Sequence, residues 1–362
     1  MRSRAVYGVA ALAVAVSALA TGCGGGDWEQ GGSAEPRAAE GPKPEGFPAT
    51  VTDCEGNRTT FSRPPGKIVT SNASALEMLL RLGAGDKVIG TGFPPGKGTL
   101  PGRLDAQAQK VPVLGRKIIA KEKLLGSGAD LYIDTFAHMG NMGAMGDAPT
   151  EEEFKAAGIK HVYLASTACA PMAEGPQKDL SGVMEDIERL GVVTGTADRA
   201  GTLVKSMDKK VSAVRRAVGD VPEEKLPSYF FFDYDAGTKQ PMALCNKQVG
   251  NAVITQAGAR NVFGSCDGDF KPVSWEDVVG KNPDWIQLAV RDRGSKAAND
   301  KAFADAETFL KENAATKGMK AVEEGNFLRI GSERTTIAGV ANADTVQEIA
   351  AALHPGKVKA AR

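Results

Sequence analysis

From Thr50 onward, short runs rich in β-branched residues alternate with segments whose apolar side chains recur every three or four positions. Lys67–Ser71, Lys87–Gly90, Val111–Leu114, Asp130–Asp134 and Lys160–Leu164 read as strands. Between them lie helical segments. Ala75–Leu82 puts Leu76, Leu79 and Leu80 on one face, with Asn72-Ala-Ser74 available as a cap and Gly83 as a stop. Lys121–Leu125 and Glu151–Ala157 repeat the pattern. Such βα alternation predicts parallel sheets covered by helices on both faces.

The middle of the chain is helical over an unusual length. The pattern begins near Leu180, is interrupted around Gly191–Gly195, and resumes from Ala197 to Val218. Leu203, Met207, Val211, Val214 and Val218 form its apolar stripe. After Pro222 and Pro227 come a strand at Ser228–Asp233, a helix at Gln248–Ala257, a strand at Trp285–Val290, and helices at Phe303–Asn313 and Thr345–Leu353. The expected fold is α/β: two doubly wound lobes, residues 49–196 and 220–362, bridged by one long helix over 197–219.

The N-terminus bears on compartment. Arg2 and Arg4 precede an uncharged run, Ala5–Leu19, which is short for a membrane span and suits a signal segment. Leu19-Ala-Thr-Gly-Cys23 resembles a bacterial lipobox, with the leucine four residues before the cysteine; an ordinary secretory signal is the alternative. Residues 1–22 are then a signal peptide, Cys23 the lipidated residue, and 23–48 a flexible tether rich in Gly, Pro, Glu and Ala. The expected location is the outer face of the cell membrane, held by lipid. Lys plus Arg equals Asp plus Glu at 44 each, and loss of residues 1–22 leaves 42 basic against 44 acidic side chains. Neither balance suits a nucleic-acid partner.

Residues 50–355 resemble the ferric-siderophore and cobalamin class of ABC-transporter substrate-binding proteins, the class III periplasmic binding proteins. The resemblance is carried by Pro65–Gly83 (PGKIVTSNASALEMLLRLG), Asp86–Gly90, Val113-Leu-Gly, Glu122 and Ala129-Asp-Leu-Tyr-Ile133. In the second half it is carried by Gly250-Asn-Ala-Val-Ile, Gly258–Phe263, Val273–Val279, Pro283-Asp-Trp-Ile286 and Leu353-His-Pro355. Each piece is weak alone; their order and spacing are specific. The resemblance implies two lobes bridged by one rigid helix, with ligand held in a largely pre-formed cleft between them. It implies a monomeric receptor, without enzymatic activity or cofactor, that delivers ligand to a permease and its ATPase. It also implies an exposed acidic residue on each lobe for docking. Glu122 falls at the first-lobe position, while Lys247 and Gln248 occupy the second.

Ligand groups of an open α/β sheet gather at the C-terminal ends of the strands. The loops there offer Asn72, Phe93, Phe136 and His138 from the first lobe, and Tyr234, Thr238, Arg291, Arg293 and Arg334 from the second. Phe136 can stack on a planar ligand group, His138 can donate a hydrogen bond or ligate a metal, and guanidinium forks suit the oxygen donors of a ferric siderophore. Asp292 and Glu333 adjoin the arginines and make a neutral or cationic hydroxamate compatible. Trp275 suits the second-lobe core, and Asp233 and Asp235 suit turn capping. Met139, Met142 and Met145 recur every three residues beside His138; an adaptable apolar loop lining the cleft explains them, and ligand contact without metal ligation or copper(I) ligation are the alternatives.

Haem, cobalamin and a bare transition metal are alternative ligands. A bare metal needs several His or carboxylate ligands, and of three histidines only His138 falls in a cleft loop, so no metal site is expected. An exported hydrolase is the remote alternative, without a Gly-x-Ser-x-Gly, His-Glu-x-x-His or P-loop motif to support it. Five cysteines include the lipidation candidate, leaving four for disulfides in an exported protein. Cys245–Cys266 and Cys54–Cys169 keep each bridge within a lobe, among three possible connectivities, with free thiols also possible.

Overall fold

The β-rich runs line up in parallel. The computed structural model describes residues 44–136 and 148–359. It opens with an antiparallel hairpin, β1 (Ala49–Thr52) and β2 (Arg58–Phe61). Next come β3 (Ile68–Thr70), α1 (Ala73–Leu82), β4 (Val88–Thr91), α2 (Gly102–Ala108), α3 (Lys121–Leu125), β5 (Leu131–Asp134), α4 (Glu151–Ala156), β6 (Lys160–Tyr163) and α5 (Ala165–Ala168). Their four strands form one parallel sheet in the order β4-β3-β5-β6, with Val69 opposite Tyr132 and Ile133 opposite Val162.

Helices α6 (Ser181–Thr194) and α7 (Ala197–Val218) lead to the second lobe. There the chain forms β7 (Ser228–Asp233), β8 (Met242–Leu244), α8 (Val249–Gln256), β9 (Arg260–Asn261), β10 (Phe270–Pro272) and α9 (Trp275–Lys281). It continues with β11 (Trp285–Ala289), α10 (Lys296–Glu312), α11 (Lys320–Glu323), β12 (Phe327–Arg329), α12 (Ser332–Thr336) and α13 (Ala341–Leu353). The second parallel sheet runs β12-β11-β7-β9, and β8 pairs antiparallel with β10 beside it. Tyr229, Phe230, Phe231 and Phe232 of β7 are all buried, the mark of a strand covered on both faces.

Helix α7 belongs to both lobes. It packs against α1 and α6 on one side and α8 and α13 on the other. One apolar cluster runs from Ile68, Leu76 and Leu131 through Met207, Val211 and Val214 of α7 to Tyr229, Val253 and Val346. A second cluster, with Phe230, Phe232, Trp275, Leu288 and Leu310, fills the outer half of the second lobe.

Three sequence expectations change. Val111–Leu114 forms no strand: it touches Thr91 through a single bridge at Val113, because Pro112 has no N–H to extend a ladder. Helix α6 runs through Gly191 instead of breaking there. A Cβ at 191 would stand 2.4 Å from the Ala200 Cβ, so the glycine lets α6 and α7 touch; the break is Gly195, at φ 70. Helix α10 begins at Lys296, seven residues before the expected start, because the Ser295 hydroxyl caps it by accepting from the Ala298 N–H.

Disulfides join Cys54 to Cys169 and Cys245 to Cys266, with Cα–Cα distances of 5.9 and 5.1 Å. Among the described residues no helix is long and apolar enough to cross a membrane.

Candidate functional site

In each sheet the strand order reverses at a point where two neighbouring strands send their following loops in opposite directions: between β3 and β5, and between β7 and β11. At the first point Ser71, Asn72 and Thr135 form a buried hydroxyl–amide cluster. The Thr135 N–H donates to Ser71 Oγ at 3.1 Å, and the Asn72 amide donates to Thr135 Oγ1. Asn72 Oδ1 also accepts from the Ala75 N–H and so caps α1. Its side chain is therefore spent on holding the crevice together.

Phe93 and Phe136 rise from this floor with ring centroids 5.4 Å apart. Phe93 has φ 32, a left-handed conformation unusual for a bulky side chain, and its carbonyl accepts from the Ala73 N–H. The Phe136 N–H is held by Asp134 Oδ1 at 2.7 Å. Both rings are half-buried and present aromatic surface beside the crevice. His138, Met139, Met142 and Met145 lie outside the described residues, as does Cys23.

In the second lobe, carboxylates organise the loops. Asp233 accepts from the Asp235 and Ala236 N–H groups, and Asp235 accepts from the Arg291 N–H and pairs with the Arg293 guanidinium. Glu333 accepts from the Asp292 N–H at 3.0 Å. Burial pushes the Asp233 and Glu333 carboxyls up, with Arg291 opposing the rise at both. Arg334 is paired with Glu348 of α13 at 2.7 Å. Of the three candidate arginines, only Arg291 has no hydrogen-bonding or ionic partner on its guanidinium among the described residues, and it is exposed. Tyr234 sits between Phe232 and Phe309, with centroids 6.1 and 6.5 Å away, as part of the outer apolar cluster. The Thr238 carbonyl accepts from the buried Trp275 indole N–H at 2.7 Å.

The two ends of the lobes meet. The Gly96 N–H, in the loop after β4, donates to Asp292 Oδ2, in the loop after β11, at 2.6 Å, and Lys97 bridges Ser295 beside it. The structure thus brings Phe93 and Phe136 together and bonds the loop that carries Phe93 to the Arg291–Arg293 loop, while Asn72 is buried at the cap of α1. Sequence reasoning missed Gly96 as a contact residue and assigned Asp292 only a neutralising charge. No local signal reveals a partner 196 residues away.

Glu122 is exposed on the first turn of α3. At the second-lobe position Gln248 is buried and caps α8, and Lys247 pairs with Asp267 at 3.3 Å. Among the described residues no group of three or more His, Cys, Asp or Glu is placed to hold a metal ion. His161, on β6, is bound by two carboxylates. Its Nδ1 is 2.7 Å from Glu151 and its Nε2 3.3 Å from Asp134, with Tyr132 and Phe154 packed on the ring. A concavity of about 590 Å³ lies beside the Cys54–Cys169 bridge. Its buried Asp186 is fully engaged by the Ala165 and Ser166 N–H groups, the Ser166 hydroxyl and Arg189, so it has no free donor set to offer.

The family model described as periplasmic binding protein matches residues 68–333, which takes in both sheets. The chain belongs to that family. Periplasmic binding proteins bind their ligands and are not enzymes. An uncharacterized ABC transporter substrate-binding lipoprotein, YvrC of Bacillus subtilis, is 25% identical over 99% of this chain and 100% of its own. A cobalamin-binding protein of Halobacterium salinarum is 23% identical over 79% of this chain and 69% of its own. The crystal structure of an ABC-type Fe3+-hydroxamate transport system from Saccharomonospora viridis superimposes with a TM-score of 0.68, at 23% identity, over 85% of this chain and 99% of the other. That last likeness shows the fold.

Proposed function

We propose that this protein is the lipid-anchored, extracytoplasmic receptor of an ABC importer, and that it captures an iron–siderophore complex and hands it to the permease. The observation that carries the reading is the aromatic pair of Phe93 and Phe136, with the Arg291–Arg293 loop of the second lobe bonded to the Phe93 loop through Gly96 and Asp292. An aromatic face suits the apolar flank of a chelate, and a guanidinium suits its oxygens. Asp233, Asp235, Asp292 and Glu333 outnumber Arg291 and Arg293 around the second-lobe loops. That balance favours a neutral or cationic ferric hydroxamate over a highly anionic catecholate. The name of the relative from Bacillus subtilis, an ABC transporter substrate-binding lipoprotein, supports the lipoprotein and ABC assignments. In this reading Cys23 is the anchor and Glu122 a permease contact. The relative from Halobacterium salinarum favours a second reading, in which a corrinoid fills the same cleft.

Tryptophan-fluorescence titration with ferric hydroxamates, ferric catecholates, haem, cobalamin and free metal ions separates these readings. Saturable quenching by a ferric chelate is the expected result. Selective binding of cobalamin installs the second reading, and stoichiometric uptake of Zn²⁺, Mn²⁺ or Cu⁺ with indifference to every chelate removes both. Cys23→Ala should release the protein from the membrane without unfolding it; retention on the membrane would sink the anchor.

A further inference from the structure

The loops that carry the candidate ligand groups of opposite lobes are bonded to each other. Gly96 lies three residues after Phe93, and Asp292 lies between Arg291 and Arg293. Their contact is a hydrogen bond from a main-chain N–H to a carboxylate, of a kind stronger than a neutral one.

Both halves are set before they meet. Asp292 Oδ1 accepts from the Gly294 N–H at 2.8 Å and from the Asn299 amide at 3.2 Å, while the Asp292 N–H is held by Glu333. On the other side the Gly96 carbonyl accepts from the Thr99 hydroxyl at 2.7 Å. The Gly98 N–H donates to Asp105 of α2 at 2.9 Å, and the Gln109 amide donates to the Pro95 carbonyl at 3.3 Å. Gly96 is required for the approach: a Cβ there would stand 2.6 Å from Asp292 Oδ1.

Other ties between the lobes are of a different sort. Thr167 and Ala338 join through a buried hydrogen bond, and Gln177 bonds to Asn246, Lys247 and Asn251 through three groups. With the continuous core through α7, these ties hold the lobes at fixed separation. The Gly96–Asp292 contact, with its neighbouring Lys97–Ser295 bridge, is a short connection between two loop tips. It can break without disturbing the lobes.

We infer that the Gly96–Asp292 contact is a latch across one end of the cleft, with Asp292 as its positioning residue: it spaces the Phe93 loop from the Arg291–Arg293 loop, and its opening sets the rate of ligand exchange. The inference rests on the cleft being the chelate site, but the latch itself is testable without ligand. Losing one charge-assisted hydrogen bond should shift the open–closed balance roughly ten- to hundredfold.

Three variants separate the latch from the charge. Gly96→Ala wedges the loops apart and leaves Asp292 in place. Asp292→Ala removes the acceptor. Asp292→Asn keeps an acceptor oxygen and loses the charge. In the ligand-free protein, hydrogen exchange of the residue-96 amide should be slow in the wild type, at least tenfold faster in Asp292→Ala, and partly restored in Asp292→Asn. Stopped-flow binding of ferrioxamine B, a cationic ferric trihydroxamate, should show Gly96→Ala and Asp292→Ala both accelerating association and dissociation about tenfold, with Kd changed less than threefold. Equal amide exchange in wild type and Asp292→Ala would overturn the latch. A protected amide with unchanged ligand rates in both variants would overturn its control of exchange. If the wild type shows a protected amide and no chelate binds, the latch stands and the siderophore reading fails.

Discussion

The Thr167 hydroxyl accepts a hydrogen bond from the Ala338 N–H at 2.7 Å, joining α5 of the first lobe to the turn between α12 and α13. Both residues are buried. Thr167→Val therefore leaves a main-chain N–H without a partner away from water, at a cost of about 1–3 kcal/mol. Urea denaturation should register the loss, and Thr167→Ser should recover most of it. Equal stabilities for wild type and Thr167→Val would show that the bond contributes nothing.

The two disulfides should differ in worth. They close separations of 115 and 21 residues. On the chain-entropy account those loops correspond to ~4.8 and ~3.3 kcal/mol. Replacing Cys54 and Cys169 together by alanine should lower stability more than replacing Cys245 and Cys266. The reverse order in denaturant melts would mean that native-state strain or residual structure, not loop length, dominates.

His161 makes stability depend on pH. Burial pulls its pKa down, but hydrogen bonds to Asp134 and Glu151 and their charges outweigh it, so the folded value lies above the ordinary 6.5. The imidazolium contribution is fully present below the unfolded value and is lost as pH rises through the raised folded one. Melting temperature should fall over that window, and His161→Gln should flatten the slope. A wild-type profile identical to that of the variant would remove His161 as the cause.

Arg291 and Arg334 should not be equivalent. Arg291→Ala removes the unpaired guanidinium and should weaken chelate binding by about ten- to more than hundredfold, the equivalent of ~1.5–3 kcal/mol. Arg334→Ala removes one side of a half-exposed ion pair with Glu348, so its effect on affinity should be small. Titration of both variants with whichever chelate quenches the wild type decides between them. A larger loss for Arg334→Ala would reassign the site.

The sheet strands at 68–70, 131–134, 160–163 and 228–233 were readable because each is a short, nearly continuous apolar run between turn residues. The edge strand β12 and the β8–β10 pair escaped notice: three-residue strands such as Phe327–Arg329 carry too little pattern. Strand order alone places the loops after β4 and β5 on the two sides of β3, and there Phe93 and Phe136 meet. What each side chain does there was less legible. Tyr234 packs into the Phe232–Phe309 cluster, and Arg334 is paired with Glu348. Phe309 and Glu348 sit on other helices, and hydrophobic periodicity within one element carries no information about pairing with another.

Helix α7 carries one apolar core through both lobes. Directly after it, residues 219–225 form a mostly exposed connection. A protease that cuts there severs the chain, and neither disulfide spans the cut: Cys54 and Cys169 lie before it, Cys245 and Cys266 after. Yet the C-terminal fragment would still be gripped by the Met207–Val218 face of a helix that belongs to the other piece. The nicked protein should therefore migrate as a single species in native solvent and part into two only in denaturant. The boundary between the lobes is visible in the topology, but it is not a line along which the molecule comes apart.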